Sequence, residues 1–415
     1  MTGSADILFY VQHLLGIGHL RRSAAIARAL DAAGVKVVFV SGGLPMPGLD
    51  IGAAQLVQLP PLKSLDEHFS GLVDDKGQAV DDAWKNARAT QLLDIFQAAR
   101  PRLLITEMFP LGRRQMRFEL LPLLETAARR TPRPAIVCSV RDILNAQRSA
   151  EKSQWMVATL DRFFDRVLVH GDPAVATLDL TFPEIARVAP EVNYTGYVVT
   201  EPPGPSEGIA APESAGASAG EGEILVSAGG GRVAGPLIEA ALAARPICPL
   251  NAAPWRILVG EHFPAADFEA LARRARNCLT GGVIVERSRP DFQALLARCR
   301  LSVSQAGYNT VMEVLLSRRP AVVVPFAAGS ETEQSLLADL LAARGLLSVV
   351  AEAELTGERL DQGLRQALVM TDRSPAPPID MTGTRKTTAA VKWLETMHPT
   401  GAGVCCTTGS CNLRP

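Results

Sequence analysis

Short apolar runs alternate with helical patterns along almost the whole chain, an alternation that predicts βαβ units and parallel sheets. In the first half, ILFYV, KVVFVS, AQLVQL, RLLIT, AIVCSV and RVLVHG each read as a buried strand followed by a loop and usually a helix, and VNYTGYVV is a seventh run. The rhythm stops at EPPGPSEGIAAPESAGASAGEGE, residues 201–223, whose Pro, Gly, Ala and Ser cannot build a core. It restarts with EILVSAGGG, WRILVG, GVIVERS, RLSVSQAG, AVVVPFAAG and LLSVV. The pattern predicts an α/β chain of two tandem Rossmann-like, doubly wound domains facing each other across a cleft. Their expected bounds are residues 1–200 and 223–371, joined by a flexible linker at 201–222. A last helix is expected within residues 372–398 (TGTRKTTAAVKWLETM), and a cysteine-containing tail at 399–415.

Composition narrows the class of protein. A chain of 415 residues with 47% hydrophobic and 20% charged residues is an ordinary globular protein of about two domains. Its formal net charge of -1 gives no general attraction to nucleic acid or anionic membranes, so an anionic ligand must be held locally. The opening MTGSADILFYV has no basic segment ahead of a long apolar run, and no stretch approaches the ~20 apolar residues of a membrane span. The expectation is a cytoplasmic protein without a membrane span, with peripheral membrane association left open. Of seven cysteines, Cys138, Cys248, Cys278 and Cys299 fall in folded-looking elements and read as buried thiols. Cys405, Cys406 and Cys411 crowd the tail without His partners or paired CxxC spacing, which fits a frayed end better than a metal site.

Open α/β sheets bind ligands beyond the carboxyl ends of their strands, so the loops there carry the candidate chemistry. In LLGIGHLRRS, Gly16 and Gly18 let the backbone approach a ligand, and His19 sits near a helix start among unpaired amide donors. A strand order 3-2-1-4-5 sets the first and fourth strands side by side, bringing Glu107 at the end of RLLIT within reach of His19. A carboxylate that fixes an imidazole's tautomer is the arrangement a general base needs. The alternatives are that His19 only caps its helix and that Glu107 pairs with Arg113 or Arg114.

In VSAGGGRVAGPL, Gly229, Gly230, Gly231 and Arg232 form an anion cradle ahead of a helix, or simply a tight turn; the loop lacks the Lys-Ser/Thr of a P-loop, which disfavours ATP hydrolysis. In SVSQAGYNTVMEVLLSRRPAVVVPFAAGSETEQSLLADLL, Ser304, Gln305 and Gly307 end a strand, and Asn309, Thr310 and Glu313 open a helix. Hydroxyl and amide groups at a helix start suit phosphate oxygens, and a carboxylate one turn in suits a vicinal diol such as a ribose. Further on, Glu331, Glu333 and Gln334 suit sugar hydroxyls; for this whole set, from Ser304 to Gln334, the plainer alternative is a capping box with a solvated acidic helix start. In the first domain, Arg113, Arg114, Arg117, Arg141 and Asp142 follow strand ends, where they either hold an anionic acceptor or form a solvated face.

The block SQAGYNTVMEVLLSRRPAVVVPF…ETEQ resembles the nucleotide-sugar motif of GT-B glycosyltransferases of the MurG-like kind, G-x-x-T-x-x-E followed by a Pro-containing strand and a polar residue before Gln. The resemblance implies a UDP-sugar co-substrate, UDP-N-acetylglucosamine-like, with no separate cofactor and an unidentified acceptor; no DxD motif stands at a strand end, since DDKGQAVDD lies in a polar loop, so metal independence is expected. By it, Gly229 to Gly231 and Thr310 hold the diphosphate, Glu313 the ribose, and Glu333 with Gln334 the donor sugar. GIGHLRR also resembles the G-x-G-H-x-x-R loop of the UDP-sugar hydrolase of the pseudaminic acid pathway, where the His is associated with catalysis. Both point to His19 as the base, with Glu107 as its orienter, in an inverting transfer. A UDP-sugar hydrolase or epimerase, and a non-catalytic nucleotide-sugar-binding protein, remain as alternatives. The long linker, a Glu where Asp is commoner after the fourth strand, and the cysteine tail depart from the best-known members.

Overall fold

The computed structural model describes residues 5–66, 71–145, 149–199, 219–228, 234–260, 263–276, 282–326, 332–370 and 378–397. Gly229, Gly230, Gly231, Arg232, Glu331, Cys278 and the tail cysteines Cys405, Cys406 and Cys411 lie outside the described residues.

The first sheet takes β1 (Ile7–Val11), β2 (Val37–Ser41), β3 (Gln55–Gln58), β6 (Leu103–Glu107), β7 (Ala135–Arg141), β8 (Arg166–His170) and β9 (Glu191–Tyr194) in the order β3-β2-β1-β6-β7-β8-β9. Every neighbouring pair is parallel. A small antiparallel hairpin, β4 (Lys63–Ser64) with β5 (Leu72–Val73), stands apart from it. Four helices connect the strands: α1 (Gly18–Ala32), α2 (Asp82–Ala99), α3 (Arg117–Arg129) and α4 (Ala150–Phe163). The register Tyr10↔Thr106 sets the ends of β1 and β6 side by side, so the loop leading into α1 emerges next to Glu107.

The second sheet has β10 (Ile224–Ser227), β11 (Trp255–Val259), β12 (Val283–Arg287), β13 (Leu301–Gln305), β14 (Ala321–Val324) and β15 (Ser348–Val349), in the order β12-β11-β10-β13-β14-β15. These pairs too are all parallel. Its helices are α5 (Ala234–Ala244), α6 (Ala265–Arg276), α7 (Phe292–Arg298), α8 (Tyr308–Ser317), α9 (Glu333–Ala343) and α10 (Gly357–Met370). Runs such as ILFYV and AVVV are apolar on both faces because helices cover both sides of a parallel sheet, and both strands are buried throughout. The thirteen runs expected as strands are the thirteen strands of the two large sheets.

One apolar cluster joins the domains: Ile143, Val175, Tyr197 and Val199 from the first pack with Leu225, Met312 and Leu341 from the second. The last helix, α11 (Gly383–Met397), returns to the first domain, where Val391 and Leu394 share a core with Leu20 and Leu30 of α1. Gly383 starts it because a Cβ there would stand 2.5 Å from the Tyr197 carbonyl oxygen.

The expected flexible linker needs correction at its end. Ala219 and Gly220 are buried, Gly220 adopts a left-handed φ of +89°, and its Cα hydrogens face Leu295 of α7 closely enough that a Cβ would lie 3.1 Å from the Leu295 Cα. The packed second domain therefore starts by residue 219, not 223; small residues that look unstructured in composition are used here for close approach. Cys138, Cys248 and Cys299 are buried free thiols, as expected. No described helix is long and apolar enough to cross a membrane.

Candidate active site

His19 is the second residue of α1. The helix is preceded by Ile17, which makes no side-chain cap, and the His19 side chain turns away from the helix end to Glu107, its Nδ1 lying 2.7 Å from Glu107 Oε1. The expected dyad is thus assembled, and the capping alternative is not what the imidazole does. Glu107 closes β6 and is completely buried, while His19 keeps one-fifth of its side chain exposed. The chain leaves β6 through Met108, whose φ of +65° is left-handed for a non-glycine residue, a strain on the order of 1 kcal/mol.

The electrostatics of the pair define its chemistry. Burial by itself raises the Glu107 carboxyl, but His19, Arg22 and Arg113 outweigh it and hold it down at about 2. Burial pushes the His19 imidazole down to about 3 against the pull of Glu107, with Arg113 and Arg22 adding to the depression. At neutral pH the carboxylate is ionised and the imidazole neutral. Nδ1 must then carry the proton and donate it to Glu107, and Nε2 keeps its lone pair. That is the protonation pattern of a general base ready to accept.

The partner of Glu107 is Arg22, not Arg113 or Arg114: Arg22 Nη2 stands 2.6 Å from the same Oε1 that receives His19. Arg22 carries no role in the sequence expectations, although it is the second Arg of the GIGHLRR stretch, at the R position of G-x-G-H-x-x-R, and lies one helical turn after His19, on the same face. Arg113 donates from Nε to the Gln12 carbonyl at 2.7 Å, and Arg114 lies over the Trp155 ring at 5.7 Å. Arg117 is exposed. Asp142 does not present a ligand group: it is buried, accepts from the Tyr197 hydroxyl at 2.7 Å, and burial pushes its carboxyl up to about 6. Its assignment to the acceptor side is corrected to a structural one, since a carboxylate with these neighbours is consumed by the fold.

A second polar cluster behind the first strand was not foreseen. Buried Arg88 donates to Glu119 Oε2 at 2.7 Å and to Gln12 Oε1 at 2.7 Å, and the Tyr10 hydroxyl bonds Glu119. These partners come from α2, α3 and β1, whose local patterns read as ordinary helix faces and a strand. The cluster fixes the residue where β1 turns into the His19 loop.

The second domain brings α8 to this point. Its N-cap is Gly307, without a side-chain cap, so the capping-box alternative does not hold here. Asn309 Nδ2 donates to the Gly18 carbonyl at 3.3 Å, and the Tyr308 hydroxyl donates to the His170 carbonyl at 2.9 Å. Glu313, one turn further, accepts from Gln293 Nε2 at 3.2 Å, and burial raises its carboxyl, with Gln293 and Arg21 pulling it back. Thr310 lies between them on the half-buried side of the first turn. Ser304, near the end of β13 and paired in register with Ser227, has a buried hydroxyl without a hydrogen-bond partner among the described residues. Gln305 ends the strand, half-buried. Glu333, the first residue of α9, is held by Arg141 of the first domain, Oε1 to Nη2 at 2.6 Å. Gln334 Oε1 accepts from the Phe326 amide at 3.2 Å. Gly16 lies on the approach to α1 with nothing within 4 Å of where a Cβ would stand, while Gly18 opens α1 against Asn309, whose Nδ2 would lie 3.7 Å from a Cβ.

Residues 229–392 match the glycosyltransferase family 28 C-terminal domain. Curated relatives include the UDP-N-acetylglucosamine–N-acetylmuramyl-(pentapeptide) pyrophosphoryl-undecaprenol N-acetylglucosamine transferases of Rhodospirillum centenum and Brucella canis. The former is 33% identical over 88 residues, 21% of this chain and 23% of the relative. The latter is 33% identical over 113 residues, 27% of this chain and 30% of the relative. The aligned stretch thus spans less than a third of the curated relatives. Among solved structures, the glycosyltransferase of kitacinnamycin superposes with a TM-score of 0.59 at 17% identity, covering 95% of this chain and all of that one. Acinetobacter baumannii MurG does so at 0.57 and 16% identity, covering 94% and 100%. The likeness to family 28 thus falls on the second domain, carried on a chain with the two-domain GT-B fold.

Proposed function

We propose that the protein is a glycosyltransferase that moves a sugar from a UDP-sugar, UDP-N-acetylglucosamine-like, to an acceptor hydroxyl bound on the first domain. The observation that carries this reading is the pairing of His19 with Glu107 directly opposite the first turn of α8, within a family 28 domain. His19 Nε2 takes the proton of the acceptor hydroxyl as its oxygen attacks the anomeric carbon. The new C–O bond forms while the bond from that carbon to the diphosphate breaks, and UDP leaves with the electron pair, so the anomeric configuration inverts. The amides and side chains of Asn309 and Thr310, with Gly229 to Gly231 and Arg232, hold the departing diphosphate. Glu313 takes the ribose, and Glu333 with Gln334 the sugar. Arg113 and Arg141 favour an acceptor with negative charge. No metal or cofactor step is assigned.

The test is release of UDP from UDP-N-acetylglucosamine with and without acceptors, with the anomeric configuration of the product read by NMR. Acceptor-dependent release with inversion supports the reading. Equal release without acceptor would make the protein a hydrolase, and a retained configuration would remove direct displacement.

A further inference from the structure

The donor end of α8 and the base of the first domain are not independent. Arg22 is almost fully buried, 2% exposed, and its Nη2 shares Glu107 Oε1 with His19. The other face of the same guanidinium lies over the Tyr308 ring, 5.6 Å from its centre. Tyr308 is the first residue of α8, and the first domain holds it from two more sides: its hydroxyl reaches the His170 carbonyl, and its ring stands 6.2 Å from that of Tyr197. The neighbouring Asn309 bonds the carbonyl of Gly18, the residue before His19.

We propose that Arg22 is a positioning residue that couples the seating of α8 to the orientation of the Glu107–His19 pair, so that bringing the second domain onto the first completes the base. The chemistry follows from the shared oxygen. A guanidinium set against an aromatic ring and shut off from water has Glu107 as its ion-pair partner, and its grip on Oε1 fixes the carboxylate in the plane His19 needs. Lift Tyr308 away and Arg22 is free to hydrate, which leaves Glu107 to turn about its last bond. Among the described residues Glu107 Oε2 has no hydrogen-bond partner, so no hydrogen bond on that side opposes the turn. Among the described residues Tyr308 makes no hydrogen bond to His19 or Glu107, and the route from its ring to the pair runs through Arg22, which is why Arg22→Lys is compared with Tyr308→Leu.

The inference rests on the proposed function for its purpose but not for its test, which is read in the free protein. Long-range nitrogen–proton NMR of the histidine rings, with His19 assigned by its loss in His19→Gln, should show a single Nδ1–H tautomer at neutral pH in the wild type. Tyr308→Leu, which removes the aromatic face, should give a mixture of tautomers or broadened ring signals for His19, and Tyr308→Phe, which keeps the face, should restore the wild-type pattern. Arg22→Lys, retaining the charge without the planar fork, should resemble Tyr308→Leu and serves as the measurement if that variant does not fold. Wild-type His19 signals in folded Tyr308→Leu, or in Arg22→Lys, would overturn the coupling. UDP should sharpen or shift the His19 signals in wild type and not in Tyr308→Leu. If UDP fails to bind at all, the donor reading fails while the tautomer comparison still decides the coupling.

Discussion

Arg141 of the first domain and Glu333 at the start of α9 form an ion pair at 2.6 Å across the two domains. The carboxylate proposed for the donor sugar is thus already engaged by a cation of the first domain, and a bound sugar would share it with, or take it from, Arg141.

This gives a discriminating prediction for Glu333. Glu333→Ala should leave UDP affinity close to wild type and weaken binding of the intact UDP-sugar by about 10-fold or more, the value of a hydrogen bond to a charged group. Calorimetry with the two ligands side by side checks it, and an equal loss for both would place Glu333 on the nucleotide.

Glu313 carries the complementary prediction. If it holds the ribose, Glu313→Ala should cost about 1.5–3 kcal/mol of UDP binding, the range for hydrogen bonds to charged groups. Unchanged UDP affinity in a folded Glu313→Ala protein would remove the ribose assignment.

The pH dependence of stability follows from buried imidazoles. His19 and His170 are both pushed down to about 3, chiefly by burial, so the unfolded chain binds protons at these sites that the native state refuses. Stability contributed by each is present above about pH 6.5 and is lost as pH falls toward 3. Glu107, held at about 2, acts in the same direction below about pH 4.5. Asp142, pushed up to about 6 by burial, acts oppositely: it stabilises at low pH and loses that contribution as pH rises through 6. The histidines outweigh it, each costing roughly 2 kcal/mol between pH 7 and pH 5. Urea unfolding should show a less stable protein at pH 5 than at pH 7, with a smaller difference in His170→Gln.

Thirteen apolar runs became thirteen sheet strands because a parallel sheet buried on both faces writes itself as continuous hydrophobic segments, such as ILFYV in β1. His19 and Glu107 could be paired because strand order alone places the ends of β1 and β6 together. Arg22, Arg88 and Glu119 stayed hidden, since a charged residue on an amphipathic helix looks the same whether it faces water or a partner 31 or 85 positions away. The docking of α11 on α1 was equally invisible: the helix was plain from its pattern, its destination was not.

Glu107→Gln tests the dyad as a unit. A neutral amide no longer stabilises the imidazolium, so turnover should fall, by less than in His19→Ala and non-additively with it. The change also leaves Arg22 buried without its counter-charge, and a drop in melting temperature should accompany it. Fully additive losses in the double mutant would dissolve the dyad.

The most direct measurement is turnover and UDP affinity in folded His19→Ala. If His19 is the general base, it contributes proton transfer in the transition state and nothing to the second-domain donor contacts. Turnover should fall by about 10²–10⁴-fold while UDP affinity stays near wild type. Turnover close to wild type in that variant would contradict the assignment of His19 as the base.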